Sequence, residues 1–357
     1  MSHFSPAQDD AAARGSGPSR APATLPIGIN IDGVLDHDGL PWPTPAERFA
    51  RVAASGAFDY IEKNFNPQED FGPYAELALQ YGLPMRVMGG IYMAGADEGR
   101  IAHEMGIAGR LGAQVFNMQL YARHADGHAL SDEEVAAAFL FAMAQGAASG
   151  CLPSFEVHVD MWSEDFRRIE RVAALVARQN VKLRITLDHS HLIYKIDSPD
   201  ELAASGIADE VASGQLVLRP DGAAEGGAEP IYAMWLREGW VAHAHTRSVQ
   251  VAGRPNPLMA RGDGRPGRGI QYPLVRPPEG SYHQPWDEAE LAPWTQAVLQ
   301  LLRFKAVHAD CPVSQVSCEF IPFADYGGGA RYSIFDQNVA CAHWLRAQWA
   351  ALEAGLR

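Results

Sequence analysis

Four short segments in the second half of this 357-residue chain end in side chains that could hold a divalent cation or move a proton. SFEVHVD carries Glu156, His158 and Asp160, and VKLRITLDHSHLI runs through Asp188, His189 and His191. WVAHAHTR carries His243, His245 and Arg247, and VSCEFIPF carries Glu319. Glu156, Asp188, His245 and Glu319 together make an oxygen-rich shell. Such a shell suits Mn²⁺ or Mg²⁺, tolerates Co²⁺ or Zn²⁺, and disfavours soft metals. Glu156 and Glu319, approaching from different sides, could each ligate with one oxygen and accept a proton with the other. With the metal polarising a carbonyl, one carboxylate removes the α-proton and the other returns one.

Each of these residues also has a plainer reading. Asp188 could be a helix N-cap after a strand. Glu156 and Glu319 are harder to explain that way, because an isolated carboxylate inside an apolar strand is costly. His158 and His243 share a face with their ligand partners at period two. They serve either as substrate contacts or as hydrogen-bonded structural histidines. His189 points to the opposite face from Asp188 and reads as structural, Asp160 as a helix cap, and Cys318 as packing.

The segments that must position these groups are β-branched and aliphatic runs of strand length. From Leu25 onward, strand and helix alternate. Strands are expected over 25–33, 58–65, 83–92, 113–121, 152–160, 181–189, 240–246 and 313–321. Helices are expected near 45–55, 68–81, 97–111, 131–150, 163–179, 199–212, 287–309 and 335–354. Ser131 with Glu134 forms a capping box, and Ser198 before Pro199 reads as another cap. Eight such units predict an α/β fold, a parallel sheet closed as a (β/α)₈ TIM barrel with the ligands at its C-terminal strand ends. A doubly wound open sheet would call for a Gly-rich phosphate turn after the first strand, and IGINIDGV is a poor one.

The spacings support closure. Glu156 and Asp188 are 32 residues apart, close to one βα unit, whereas the gaps from Asp188 to His245 and from His245 to Glu319 are longer. Insertions are therefore expected after strands six and seven. The first, 214–238, holds the loop RPDGAAEGGAEP and room for a short hairpin. The second, 247–286, is rich in Arg, Gly and Pro. Between Arg247 and Arg276 it has six arginines (247, 254, 261, 265, 268, 276) against one acid, Asp263. It reads either as a lid over the C-terminal face that recruits an anionic substrate, or as a solvated loop or subunit contact. Trp42, Trp162 and Trp286, near loop ends, could wall a sugar ring or simply pack.

Composition sets the outer bounds. A hydrophobic content of 47% with 20% charged residues suits a globular protein with a sizeable core. The net charge of −14 argues against nucleic acid as a partner. No apolar run approaches transmembrane length and no signal-peptide core is evident. Four cysteines without C-x-x-C spacing fit buried thiols in a reducing cytoplasm. Residues 1–24, rich in Ala, Ser, Gly, Pro and Asp, are expected to form a disordered tail, with one TIM-barrel domain over 25–357.

Glu156-x-His158, Asp188-x-x-His191, His243-x-His245 and Glu319 at successive strand ends resemble the xylose-isomerase-like TIM-barrel family. The family includes ketose 3-epimerases, sugar isomerases, inosose and dehydroshikimate dehydratases, and endonuclease-IV-type nucleases. The resemblance implies that Glu156, Asp188, His245 and Glu319 bind one metal, with Glu156 and Glu319 as the acid–base pair and His191 as a substrate contact. The chain departs from the family's epimerases in two places. Arg247 follows His245 by two residues rather than a longer interval, and Trp162 stands where they carry a second glutamate. Strands two and three end in EKNF and GGIY, without the histidines of a trinuclear zinc nuclease.

These readings predict a divalent-metal-dependent isomerase or epimerase of a keto-sugar, or of a related polyol or sugar acid, working through an enediolate. The substrate contacts would come from His191, His158, His243 and Arg247. The nearest alternative is a dehydratase or lyase that expels a β-substituent from a keto-polyol or keto-glycoside, for which the extra imidazoles would protonate the leaving group. Phosphodiester hydrolysis and non-catalytic sugar binding are weaker rivals. The expected partner is a small carbohydrate, with no membrane contact and room for a homo-oligomer.

Overall fold

The computed structural model describes residues 24–221 and 229–355. The expected tail, apart from Thr24, and most of the loop RPDGAAEGGAEP lie outside the described residues.

Eight parallel strands close into a barrel in the order β1-β10-β7-β6-β5-β4-β3-β2. The strands are β1 (Ile27–Asn30), β2 (Tyr60–Asn64), β3 (Met85–Tyr92), β4 (Val115–Leu120), β5 (Leu152–Glu156), β6 (Ile185–Asp188), β7 (Val241–Thr246) and, after a separate antiparallel pair, β10 (Val316–Cys318). That pair is β8 (Asn256–Ala260) with β9 (Pro266–Gly267), inside the segment that follows β7.

The helices start and stop where the sequence supplies caps. In α1 (Pro45–Ser55) Thr44 and Glu47 close a capping box and Gly56 takes the left-handed C-cap. Between it and the next long helices lie α2 (Tyr74–Tyr81) and α3 (Glu98–Arg110). In α4 (Asp132–Ser149) Ser131, Glu134 and Gly150 do the same work as the caps of α1. In α5 (Arg167–Ala177) the buried residues Ile169, Val172, Ala173 and Val176 recur at helical spacing. Fully burying such an aliphatic side chain is worth roughly 1.5–3 kcal/mol.

Three expectations change. The helix over 199–212 is two short ones, α7 (Pro199–Ala204) and α8 (Ala208–Ala212), because Gly206 turns left-handed at φ 67° between them. Ser198 precedes α7 without a side-chain cap bond. The stretch 214–238 contributes a helix, α9 (Ile231–Arg237). A one-turn helix, α6 (Ser190–Ile193), also follows β6 directly. The last two helices are α10 (Ala292–Val307) and α11 (Ile334–Gly355).

Inside the barrel, Tyr60 fills the lower layer with Val87 and Val115. Its hydroxyl donates to Val316 O at 2.6 Å, and its ring lies where a Cβ on Gly28 would be 2.2 Å away. Only glycine fits there. The upper face is covered by the 248–286 segment interlocked with the loop after β10. Asn256 Nδ2 donates to Gly328 O at 2.8 Å, Arg268 N to Asp325 Oδ1 at 2.8 Å, and Ile321 N to Gln271 Oε1 at 2.9 Å.

Candidate metal centre

Strand pairing sets the heights of the polar groups. Asp188 pairs with His245, His245 with Ser317, and Asn30 with Glu62. Paired residues of parallel strands face the same side, so these side chains converge inside the C-terminal end of the barrel. Donor atoms of Glu156, Asp188, His245 and Glu319 lie within 4.8 Å of one another. Ligands roughly 2.0–2.6 Å from one cation need about that spread. All four residues are buried.

The surroundings orient each donor. Glu62 Oε1 accepts from His245 Nε2 at 2.8 Å, which turns Nδ1 toward Glu156 Oε1 (3.1 Å) and Glu319 Oε2 (3.0 Å). A carboxylate behind a ligating histidine fixes its ring and its tautomer. Glu156 Oε2 accepts from Asn117 Nδ2 at 2.8 Å and Gln119 Nε2 at 2.7 Å. Glu319 Oε1 accepts from Asn30 Nδ2 at 3.0 Å, and Asp188 Oδ1 from Ser190 N at 2.8 Å. Each glutamate thus offers one oxygen to the centre while amide donors hold the other. For Glu156 this qualifies the expectation of a free second oxygen, since two amides already occupy it.

Electrostatics follow from crowding. Burial pushes Asp188 up, only partly offset by Arg247 and reinforced by Glu319. Burial also opposes ionisation of Glu156, yet His245, with help from His158 and Gln119, holds it down to about 2. Glu62 is likewise drawn well below the carboxylate range against its own burial, by His245 and His243. His245 is pushed well above its ordinary value: burial resists, and Glu319, Glu62 and Glu156 outweigh it. Four buried carboxylates therefore compete for too little positive charge. That donor set fits a divalent cation.

Arg247 is the arginine of its segment that reaches this group among the described residues. Its guanidinium pairs with Asp188 and, at 3.1 Å, with Glu319 Oε2, and it lies 4.0 Å over the Tyr326 ring. His191 Nε2 sits 3.3 Å from Asp188 Oδ2, and its ring is 4.1 Å from that of His158. His158 Nδ1 donates to Val159 O at 2.6 Å, so its Nε2 accepts from the Tyr326 hydroxyl at 2.8 Å. His243 lies one layer deeper, with Nε2 3.2 Å from Glu62 Oε2. His158, His191, Arg247 and Tyr326 roof the centre, and His243 belongs to its floor.

The other expected contacts are dispersed. Arg261 and Arg268 reach Asp160 at 2.8 and 3.2 Å, and Arg268 also reaches Glu164 at 3.4 Å. Arg265 pairs with Asp263 at 2.6 Å. Arg261 and Arg268 pin the segment to the β5 loop while Arg265 pairs within it, and Asp160 is a partner of that segment rather than a helix cap. Trp162 is buried against Phe155, Trp286 carries Arg276 over its ring, and Trp42 is half exposed beside Phe323. They form no common wall. Trp42 instead lines a cavity of about 930 Å³ over β1–β3, with Asp32, Arg48, Lys63 and Glu69 on its polar side. His189, buried against Tyr232, takes no part in the centre.

Glu62, Asn30, Asn117, Gln119 and Tyr326 are the members of the constellation that the sequence reading passes over. Glu62 carried the same signal as Glu156, an acid inside an apolar strand. The amides carried none.

The fold is that of the xylose isomerase-like TIM barrels, a class whose solved members resemble this chain along nearly its whole length. A xylose isomerase-like TIM barrel protein from Mycobacterium smegmatis in complex with magnesium is 13% identical, with a TM-score of 0.52, and the match covers 92% of this chain and 98% of that one. A sugar phosphate isomerase/epimerase from Parabacteroides distasonis is 11% identical at TM-score 0.50, over 97% and 99% of the two chains. A xylose isomerase domain protein from Alicyclobacillus acidocaldarius is 11% identical at TM-score 0.50, over 92% and 99%. No protein-family model matches the chain, and no curated protein does.

Proposed function

We propose that this protein is a divalent-metal-dependent isomerase or epimerase of a keto-sugar, or of a related polyol or sugar acid. The observation that carries the reading is the convergence of Glu156, Asp188, His245 and Glu319 within 4.8 Å, with the two glutamates on strands separated by β6 and β7 around the barrel. Mn²⁺ or Mg²⁺ suits this oxygen-rich set best. When bound, the cation would supply Lewis-acid polarisation of the substrate carbonyl. Glu156 and Glu319 then face the carbon beside that carbonyl from two directions, so one removes its proton and the other delivers one. Glu319 has one amide donor on its outer oxygen and the Arg247 guanidinium on its inner one, whereas Glu156 has two amide donors on its outer oxygen, so the two carboxylates are held differently. Arg247, His191 and His158 orient the substrate's oxygens, and the roof excludes water.

One observation favours a second reading. The Tyr326 hydroxyl shares its proton with His158 Nε2 beside His191, and that pair, turned toward a departing oxygen, would supply the acid that a dehydratase or lyase needs. Incubating the Mn²⁺- or Mg²⁺-loaded protein in D₂O with keto-sugars and sugar acids separates the two. Deuterium at the α-carbon without loss of water is the expected result. A new conjugated carbonyl absorbance selects the elimination instead, and neither signal across the panel overturns both. The four buried, free cysteines support a reducing cytoplasm as its location, and no helix among the described residues is long and apolar enough to cross a membrane.

A further inference from the structure

A second imidazole–carboxylate cluster lies away from the barrel axis, on the turn after β4, where the chain reads His124-Ala125-Asp126-Gly127-His128. The turn is tied from within and without. His124 N donates to His128 O, Gly127 N to His124 O, and Ala125 N to Ala94 O, each at 2.9 Å. The two rings consequently stack, 4.8 Å between centroids and 21° between planes. Asp126 Oδ1 stands between them, 3.2 Å from His124 Nδ1 and 2.5 Å from His128 Nδ1. One donor atom from each residue therefore already lies within 4.8 Å of the other two.

The ring nitrogens are also set for ligation. His124 Nδ1 faces into the turn, where it accepts the Asp126 N–H at 3.3 Å, a long bond that an ion would replace. Gly95 backs the same ring: a Cβ there would fall 2.1 Å from His124 Nε2. His128 Nε2 donates to Glu134 Oε1 at 2.8 Å, which assigns ligation to Nδ1. Glu134 is itself fixed, because its Oε2 accepts from Ser131 N at 2.8 Å in the capping box of α4.

We propose that His124, Asp126 and His128 form a surface site for a borderline divalent transition ion, Zn²⁺ foremost, separate from the barrel centre. Two imidazoles and one carboxylate favour Zn²⁺, Ni²⁺ or Cu²⁺ over the Mg²⁺ or Mn²⁺ suited to the oxygen-rich interior. A fourth position is left for water or for a donor from another molecule. An ion there would join the turn after β4 to the first turn of α4 through Glu134, and to the loop after β3 through the His124–Gly95 contact. The site stands whether or not the barrel centre performs the chemistry proposed above.

The test is a Zn²⁺ titration of chelator-stripped, full-length protein against a chromogenic competitor, repeated with Co²⁺ read by visible absorption. Wild type should take up one equivalent more than the H124A/H128A variant. A D188A/E319A variant should keep that equivalent and its nitrogen-ligated Co²⁺ band. D126N should weaken it at least tenfold. Equal stoichiometry and affinity in wild type and H124A/H128A would overturn the site. Should D188A/E319A not fold, the comparison of wild type with H124A/H128A decides alone, because those two substitutions lie at the surface.

Discussion

The two halves of the barrel divide the labour at its centre. Strands β5, β6, β7 and the end of β10 supply the groups whose donor atoms converge: Glu156, Asp188, His245 and Glu319. Strands β1, β2 and β4 supply the groups that hold them: Asn30 on Glu319, Glu62 on His245, and Asn117 with Gln119 on Glu156. The difference teaches that one half specifies what chemistry is available and the other half how precisely it is aimed. A ligand missing from the first half should abolish function, whereas an orienting group missing from the second should degrade it.

The sharpest way to break this division is Glu156→Gln or Glu319→Gln. Each keeps a carbonyl oxygen but loses basicity, so turnover on an accepted substrate should fall about 10²–10⁴-fold with the fold intact by circular dichroism. Full turnover in both variants at saturating metal would remove these glutamates from the mechanism, with His158 the next base to test. Arg247→Met probes the border between the halves. It leaves Asp188 and Glu319 facing each other unneutralised, and chemical denaturation should show a loss of roughly 3–5 kcal/mol. Added Mn²⁺ should restore part of that loss, and a variant as stable as wild type would contradict the role given to the guanidinium.

Glu62→Gln tests the orienting half. It should weaken metal affinity by about 10–100-fold while leaving the stoichiometry of the centre unchanged. An unchanged affinity would mean that His245 needs no such support. The smallest effect lies at the rim. Burial opposes ionisation of Glu164, yet Lys195 at 2.8 Å and Arg268 lower its pKa. A depressed carboxyl contributes stability above its unfolded value of about 4.3, and that stability is lost as pH falls through the folded value. The stability of Glu164→Gln should therefore fall less steeply than that of wild type in that acid range, and parallel curves would exclude the contribution.

The barrel was legible because its strands are short apolar runs between capped helices. Glu156 and Glu319 stood out because a charge inside such a run needs a reason. Glu62 met the same criterion, although Lys63 and Asn64 beside it dilute the apolar run. Lys63 is in fact buried, paired with Asp32 at 2.9 Å and Glu69 at 3.0 Å. Asn30, Asn117 and Gln119 are neutral, and nothing in a strand pattern separates an amide that faces a carboxylate from one that faces water. Tyr326 sits in a glycine-rich loop with no period to read. The seven residues of α9 are too few to show helical spacing. Pairing charges across the 247–286 segment is long-range information, so the sequence leaves a recruiting lid, a solvated loop and a subunit contact open, whereas Arg261 and Arg268 fasten the segment to Asp160 and Arg265 pairs within it.

Tyr60, seated on Gly28, plugs the lower end of the barrel among the described residues, which leaves the upper end as the way in. Whatever reaches the centre must enter past the roof of Tyr326 and Arg247 and leave by the same way. Product still inside therefore stands in the path of the next substrate molecule, and it should inhibit competitively.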